Sequence, residues 1–254
     1  MSYLKKVKSS KKSRPRRTVL YGVAGIGKTT WASKWPDPVL LPIEEGADDI
    51  DVQSFPMPTG FEGVHLPLME LADGEHKFKT IIIDSADWLE KLIWKKVATN
   101  NGKKDISDIP YGKGFQEAAY AMRFTLGLLD DCMKKANMHV VVLAHSSVVR
   151  FEDPEGDSYD RYQPKLHKEA SASLVEWADE VLFANYKTFT KQTDEGFDKK
   201  RSVGIGSGER FIYTQERPAF KAKSRLDLPS EMPLEFDEYS KFLSTVKKVE
   251  EVTK

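Results

Sequence analysis

The chain has 254 residues, 40% of them hydrophobic and 31% charged, with 39 basic and 39 acidic side chains. That supplies a sizeable core, and the absence of any run of about 18 apolar residues excludes a membrane-spanning helix. The N-terminus is basic with no apolar segment behind it, so no secretory signal is visible, and the lone Cys132 leaves no intrachain disulfide and suits a reducing cytoplasm.

Zero net charge hides an asymmetry. Lys5, Lys6, Lys8, Lys11, Lys12, Arg14, Arg16 and Arg17 crowd residues 5–17 without an acid, leaving 31 basic against 39 acidic residues elsewhere. Residues 1–17 read as a disordered basic arm suited either to polyanion contact or simply to solvation. Thr18 to Tyr21 is a short β-like run. It leads into Gly22-Val23-Ala24-Gly25-Ile26-Gly27-Lys28-Thr29, followed by Thr30, which has the G-x-x-x-x-G-K-T spacing of a phosphate loop. The glycines let successive N–H groups point at phosphate oxygens. Lys28 then reaches the β- and γ-phosphates, and the Thr29 hydroxyl takes a place on Mg²⁺. A helix from Lys28 to Trp35 ends before Pro36.

Val39 to Ile43 is a continuous apolar run, as in a strand buried on both faces. Asp51 to Phe55 is a shorter strand and Gly63 to Leu71 a weak helix. Lys79 to Asp84 is the clearest strand, ending Ile81-Ile82-Ile83-Asp84, and Trp88, Leu89, Leu92, Ile93 and Val97 follow at helical spacing. Asp84, at the carboxyl edge of the sheet, is the carboxylate expected to hold the metal. Residues 100–114 form a polar loop, Phe115 to Lys135 a long helix, and His139 to Ala144 another buried strand with His145 at its end. Residues 149–168 read as a second polar loop, Glu169 to Trp177 as a helix, and Glu180 to Tyr186 as a strand. Residues 187–209 read as a mobile hairpin or loop, Phe211 to Thr214 as a strand, and Asp237 to Val252 as a terminal helix. Strand–helix alternation predicts one α/β domain over residues 18–254, with a mostly parallel sheet and helices on both faces.

A water-activating base is also needed. Ser85 follows Asp84 where AAA+ ATPases usually carry Glu, so the candidates are Glu44 and Glu45 beyond the second strand, with Glu45 preferred. His145 is placed to hydrogen-bond the γ-phosphate and report its loss; no His or Cys partner at ligand spacing makes it a metal ligand.

In this order of pieces the chain resembles the RecA-like P-loop ATPase core over roughly residues 18–230. Within that superfamily it is most similar to phage-encoded nucleotide-binding ATPases, including the Sak-type single-strand annealing recombinases, through Tyr111-Gly-Lys-Gly-Phe115 and the segment from Lys223 to Pro229. The resemblance implies Mg²⁺-dependent ATP hydrolysis in the cytoplasm of a bacterial host, with single-stranded DNA as partner. It implies DNA-facing loops at 100–115 and 147–168, which offer Lys103, Lys104, Tyr111 and Lys113, and Arg150, Arg161, Tyr162, Lys165 and Lys168. Lys and Arg would track phosphates and Tyr would stack on bases. It also implies that Lys223 and Arg225 reach a neighbour's γ-phosphate, which requires a homo-oligomeric ring or filament, and that a single-strand-binding protein is a possible partner. The function so implied is ATP-dependent annealing or strand exchange in phage recombination. A RecA-like ring translocase or helicase motor, and a nucleotide-switched protein-binding ATPase, are the alternatives.

Overall fold

The computed structural model describes residues 7, 14–194 and 200–251, the side chains of 188–194, 200–207 and 244–251 aside. Its elements are β1 (Arg17–Gly22), α1 (Lys28–Ala32), β2 (Pro38–Pro42), β3 (Gln53–Ser54), α2 (Glu62–Asp73), β4 (Thr80–Asp84), α3 (Ala86–Asn100), α4 (Lys113–Lys135), β5 (His139–Phe151) and β6 (Tyr159–Pro164). Then come α5 (Lys168–Trp177), β7 (Glu180–Asp194), β8 (Lys200–Tyr213), β9 (Lys223–Ser224), β10 (Glu231–Pro233) and α6 (Phe236–Glu251).

The sheet runs β10-β8-β7-β1-β5-β4-β2-β3, with β9 added on β7 and β6 on β5. From β3 to β7 neighbouring strands are parallel; β8, β9 and β10 add antiparallel. The apolar runs alternate between two cores, as the period of two dictates. Val19, Tyr21, Ile81, Ile83, Val140, Val142, Val181 and Phe183 face α2, α3, α4 and α5. Leu20, Ile82, Val141, Leu143 and Leu182 face α1 and α6. Helices therefore cover both faces of a mostly parallel sheet, the α/β architecture that the residue pattern predicts. In α6, Tyr239 is fully buried and packs edge-on against Trp31 at 5.2 Å, so the C-terminal helix seats on the phosphate-loop helix.

Two expectations are corrected. First, the arm gives way to ordered structure before residue 17: Arg17 opens β1, and Arg14 and Arg16 are ion-paired to Asp179 and Glu180. Lys5, Lys6, Lys8, Lys11 and Lys12 lie outside the described residues. Second, half of 149–168 is not a loop. β5 continues past His145 to Phe151 and pairs antiparallel with β6, Val149 opposite Arg161. For 187–209 the hairpin alternative holds: β7 runs to Asp194 and pairs antiparallel with β8 from Lys200, across a shift near Tyr186 and Thr188.

The amino ends of β1 and β7 meet at a buried acidic pair. Asp179 and Glu180 are fully buried. Asp179 Oδ1 accepts from Arg14 Nη2 at 2.6 Å, Arg225 Nη1 at 2.9 Å and Arg17 Nη2 at 3.3 Å, and Oδ2 accepts from the Arg17 backbone N–H at 3.1 Å. Glu180 takes Arg16 and the Thr18 hydroxyl. Among the described residues, no helix is long and apolar enough to cross a membrane.

Candidate nucleotide site

β1 ends at Gly22, where packing on β7 leaves no room for a side chain: an added Cβ would sit 2.2 Å from the Ala184 carbonyl oxygen. The loop then turns through Gly25 (φ +72°) and Gly27 (φ +102°), a left-handed conformation that glycine adopts without penalty. Gly27 caps α1. Lys28 is buried, and its Nζ donates to the carbonyls of Val23 at 3.1 Å and Gly22 at 3.4 Å. Burial lowers its pKa, against the attraction of Asp84, Glu44 and Asp87.

Parallel pairing gathers the other groups at the same sheet edge. Thr29 Oγ1 donates to Asp84 Oδ2 at 2.7 Å. Asp84 is buried, which raises its carboxyl pKa despite Thr29, Lys28 and His145 nearby. A buried carboxylate beside a threonine hydroxyl is a set of hard oxygen donors that fits Mg²⁺. His145 stands opposite Gly22 in the β1–β5 register, beside the start of the loop. Its Nδ1 lies 3.0 Å from Asp87 Oδ2, and its backbone N–H donates to Asp87 Oδ1 at 3.0 Å. That hydrogen bond raises the imidazole pKa. Burial alone would push Asp87 up, but the bonds from His145 and Ser85 hold it down at about 2.

Of the two candidate bases, the structure brings Glu44, and not the preferred Glu45, beside Asp84 and His145. Glu45 is exposed. Glu44 turns inward, with its carboxyl close to Ser85 and Asp84 and its Oε1 3.9 Å from His145 Nδ1. Burial raises its pKa. The cause is backbone pairing beyond the strand: the N–H groups of Ile43 and Glu44 both reach the Asp84 carbonyl, at 2.6 and 3.2 Å. That draws Glu44 over the end of β4 and leaves Glu45 outside.

Sequence reasoning missed Asp87 and Arg210. Asp87, three residues past Asp84, sits in the first turn of α3, where its carboxylate reaches β5. Arg210 on β8 donates from Nη1 to the Ile26 carbonyl at 3.3 Å; no local pattern signals a contact made across the sheet.

Lys223 and Arg225 stand at the opposite end of the sheet. β9 pairs with Glu180 and Val181, which lie beside the first residues of β1, four positions from Gly22 and so about 13 Å along the strand. Lys223 Nζ donates to the Glu176 carbonyl, and Arg225 binds Asp179. Neither approaches the phosphate loop of its own chain.

The candidate DNA residues divide. Lys103, Lys104, Tyr111 and Lys113 are exposed before, on and just after two 3₁₀ turns, Ile106–Asp108 and Pro110–Gly112, pinned by buried Ile106 and Ile109. Tyr111 is 94% exposed at φ +59°, rare for a bulky residue. Lys165 and Lys168 are exposed. Arg150 is exposed and 3.7 Å from Asp160. Arg161 and Tyr162 are corrected: Arg161 is buried, ion-paired to Glu216 and over the Phe151 ring, and Tyr162 stacks on Phe183 at 5.0 Å. Arg161 turns toward Glu216 and Phe151, and Tyr162, on the opposite face of the strand, turns toward Phe183, so these two side chains serve packing.

A family profile described as an AAA domain matches residues 14–226. The SPbeta prophage-derived uncharacterized protein YorG of Bacillus subtilis (strain 168) is 26% identical over 214 residues, which cover 82% of this chain and 58% of that protein. The chain thus spans less than two thirds of this relative's length. Among solved structures, the RadB recombinase aligns with a TM-score of 0.44 and 13% identity over 79% of this chain and 80% of that one.

Proposed function

The chain belongs to the AAA domain family, and from that premise we propose that it is a Mg²⁺-dependent ATPase acting on single-stranded DNA, promoting annealing or strand exchange in phage recombination. The observation that carries the ATPase reading is the convergence of Lys28, Thr29, Asp84, Glu44 and His145 at one sheet edge, on four different parallel strands or the loops that follow them. Gly22 to Thr30 hold the phosphates, and Lys28 carries the charge that meets their β and γ oxygens. Thr29 and Asp84 hold Mg²⁺, which neutralises charge building on those oxygens. Glu44 orients and deprotonates the attacking water. His145, fixed through Nδ1 by Asp87, turns its other ring nitrogen toward the γ-phosphate.

The DNA reading rests on Lys103, Lys104, Tyr111 and Lys113, presented outward by the firmly anchored connection between α3 and α4, with Lys165 and Lys168 in support. An exposed ring between cations suits stacking with backbone neutralisation. Lys223 and Arg225 act only if a second copy packs against the edge that carries β9, and Arg225 must then leave Asp179. A homo-oligomer is part of this reading, and a single-strand-binding protein is the partner that would deliver its substrate in the host cytoplasm. One observation favours the rival, a nucleotide-switched protein binder: the inward turn of Arg161 and Tyr162 removes two DNA contacts from the ribbon.

The test is the steady-state ATPase rate with and without single-stranded DNA at two salt concentrations, with Lys28→Ala as control. Stimulation that fades with salt supports DNA contact through phosphates. A rate indifferent to DNA favours the protein-binding switch, directional unwinding a motor. Full activity in Lys28→Ala removes the site assignment.

A further inference from the structure

We propose that Arg210 is a nucleotide-contacting residue that β8 supplies to the α-phosphate side of the phosphate loop. The inference deepens the nucleotide-binding reading and rests on it. β1 carries the loop and has two neighbours. Toward β5, β4 and β2 lie His145, Asp84 and Glu44, so the metal and the terminal phosphate belong on that side. Toward β7 and β8 lies Arg210. A nucleotide laid along the loop with its γ-phosphate among the acids must direct its α-phosphate and ribose the other way.

The guanidinium is already there. Nη1 donates to the Ile26 carbonyl at 3.3 Å, and a Cβ added at Gly27 would meet that same nitrogen at 2.8 Å. Arg210 thus lies directly against the last glycine of the loop, one residue before Lys28. Among the described residues its ion-pair partner is Glu235, at 3.9 Å, and the side chain is 44% exposed. A guanidinium anchored by a single neutral acceptor and otherwise open keeps donors for an anion, and its planar fork suits phosphate oxygens. The sequence leaves position 27 without a side chain for two reasons, the left-handed turn and the space that Arg210 fills.

Because the α-phosphate is common to ADP and ATP, the contact strengthens both alike and leaves the chemical step alone. The experiment compares wild-type protein and Arg210→Ala by titration with ADP and with ATP, by turnover at saturating ATP, and by the ³¹P resonances of bound ADP. Loss of one charge-assisted hydrogen bond predicts a Kd weaker by ~10-fold for both nucleotides, kcat within about twofold, and a displaced α-phosphate resonance. Melting temperature checks the fold, and Arg210→Lys, which retains a cation, should recover part of the affinity. Unchanged ADP affinity, or a loss confined to kcat, overturns the proposal. Weakened affinity with an unmoved α-phosphate resonance also overturns it, because Arg210 then only braces Ile26. Wild-type protein that binds neither nucleotide sinks the underlying nucleotide reading; wild-type binding with an unaffected variant sinks the role of Arg210 alone.

Discussion

Replacing Asp179 by Asn tests how the sheet's amino edge is held. The carboxylate is fully buried and meets Arg14, Arg17 and Arg225. Burial alone would raise its pKa, but the arginines hold it at about 2 against an ordinary value of 3.8. At 1.36 kcal/mol per pH unit that gap corresponds to about 2 kcal/mol of folding stability. Since the folded pKa is the lower one, this stability is fully present above about pH 4 and drains away as pH falls toward 2. Glu180 next door has the opposite sign, because burial raises its pKa despite Arg16. The wild-type pH profile therefore mixes the two, and the difference between wild type and Asp179→Asn isolates Asp179. Urea denaturation at pH 7, 5 and 3 is the assay. The expected penalty of about 2 kcal/mol holds from pH 7 to 5 and shrinks to about half at pH 3. A penalty as large at pH 3 as at pH 7 would refute the reasoning, because an uncharged packing defect does not titrate.

Two further substitutions probe the site. Glu44→Gln should lower turnover at saturating ATP by ~10²–10³-fold with ATP affinity retained, while Glu45→Gln stays within about twofold; the reverse pattern in the same assay would restore Glu45. Gly22→Ala drives a methyl group into the Ala184 carbonyl and should cost about 1–3 kcal/mol, with nucleotide affinity falling as the loop shifts. A wild-type melting temperature for that variant would contradict the close approach of β1 and β7.

What could be read from the sequence follows from where the information is local. The phosphate loop is a fixed spacing within eight residues, and the buried parallel strands announce themselves as runs such as Ile81 to Ile83 and Val140 to Leu143. The β5–β6 ribbon did not, because its strands mix polar and apolar residues on both faces and the acids Glu152, Asp153, Glu155 and Asp157 crowd the connection between them, so the whole segment reads as loop. The choice between Glu44 and Glu45 turns on one residue of phase just past the end of β2, and the Asp84 carbonyl, forty residues on, sets it. Arg225 illustrates a different difficulty. Its charge and spacing resemble a catalytic cation, yet in this chain it satisfies a buried acid whose other partners come from the first residues of the fold. Arg210 is invisible for the same reason in reverse, since its neighbour Ile26 lies 184 residues away.

β5 passes from the core through His145 to Phe151 without a break. Its first half is clamped between β1 and β4, and its second half carries β6, which Tyr162 ties to Ala219 and Lys221. The six residues beyond His145 reach about 20 Å at 3.3 Å per residue. The imidazole beside the phosphate loop and the far tip of the ribbon thus belong to one unbroken strand, so a tilt at one end is felt at the other, as a short arm moves a long one.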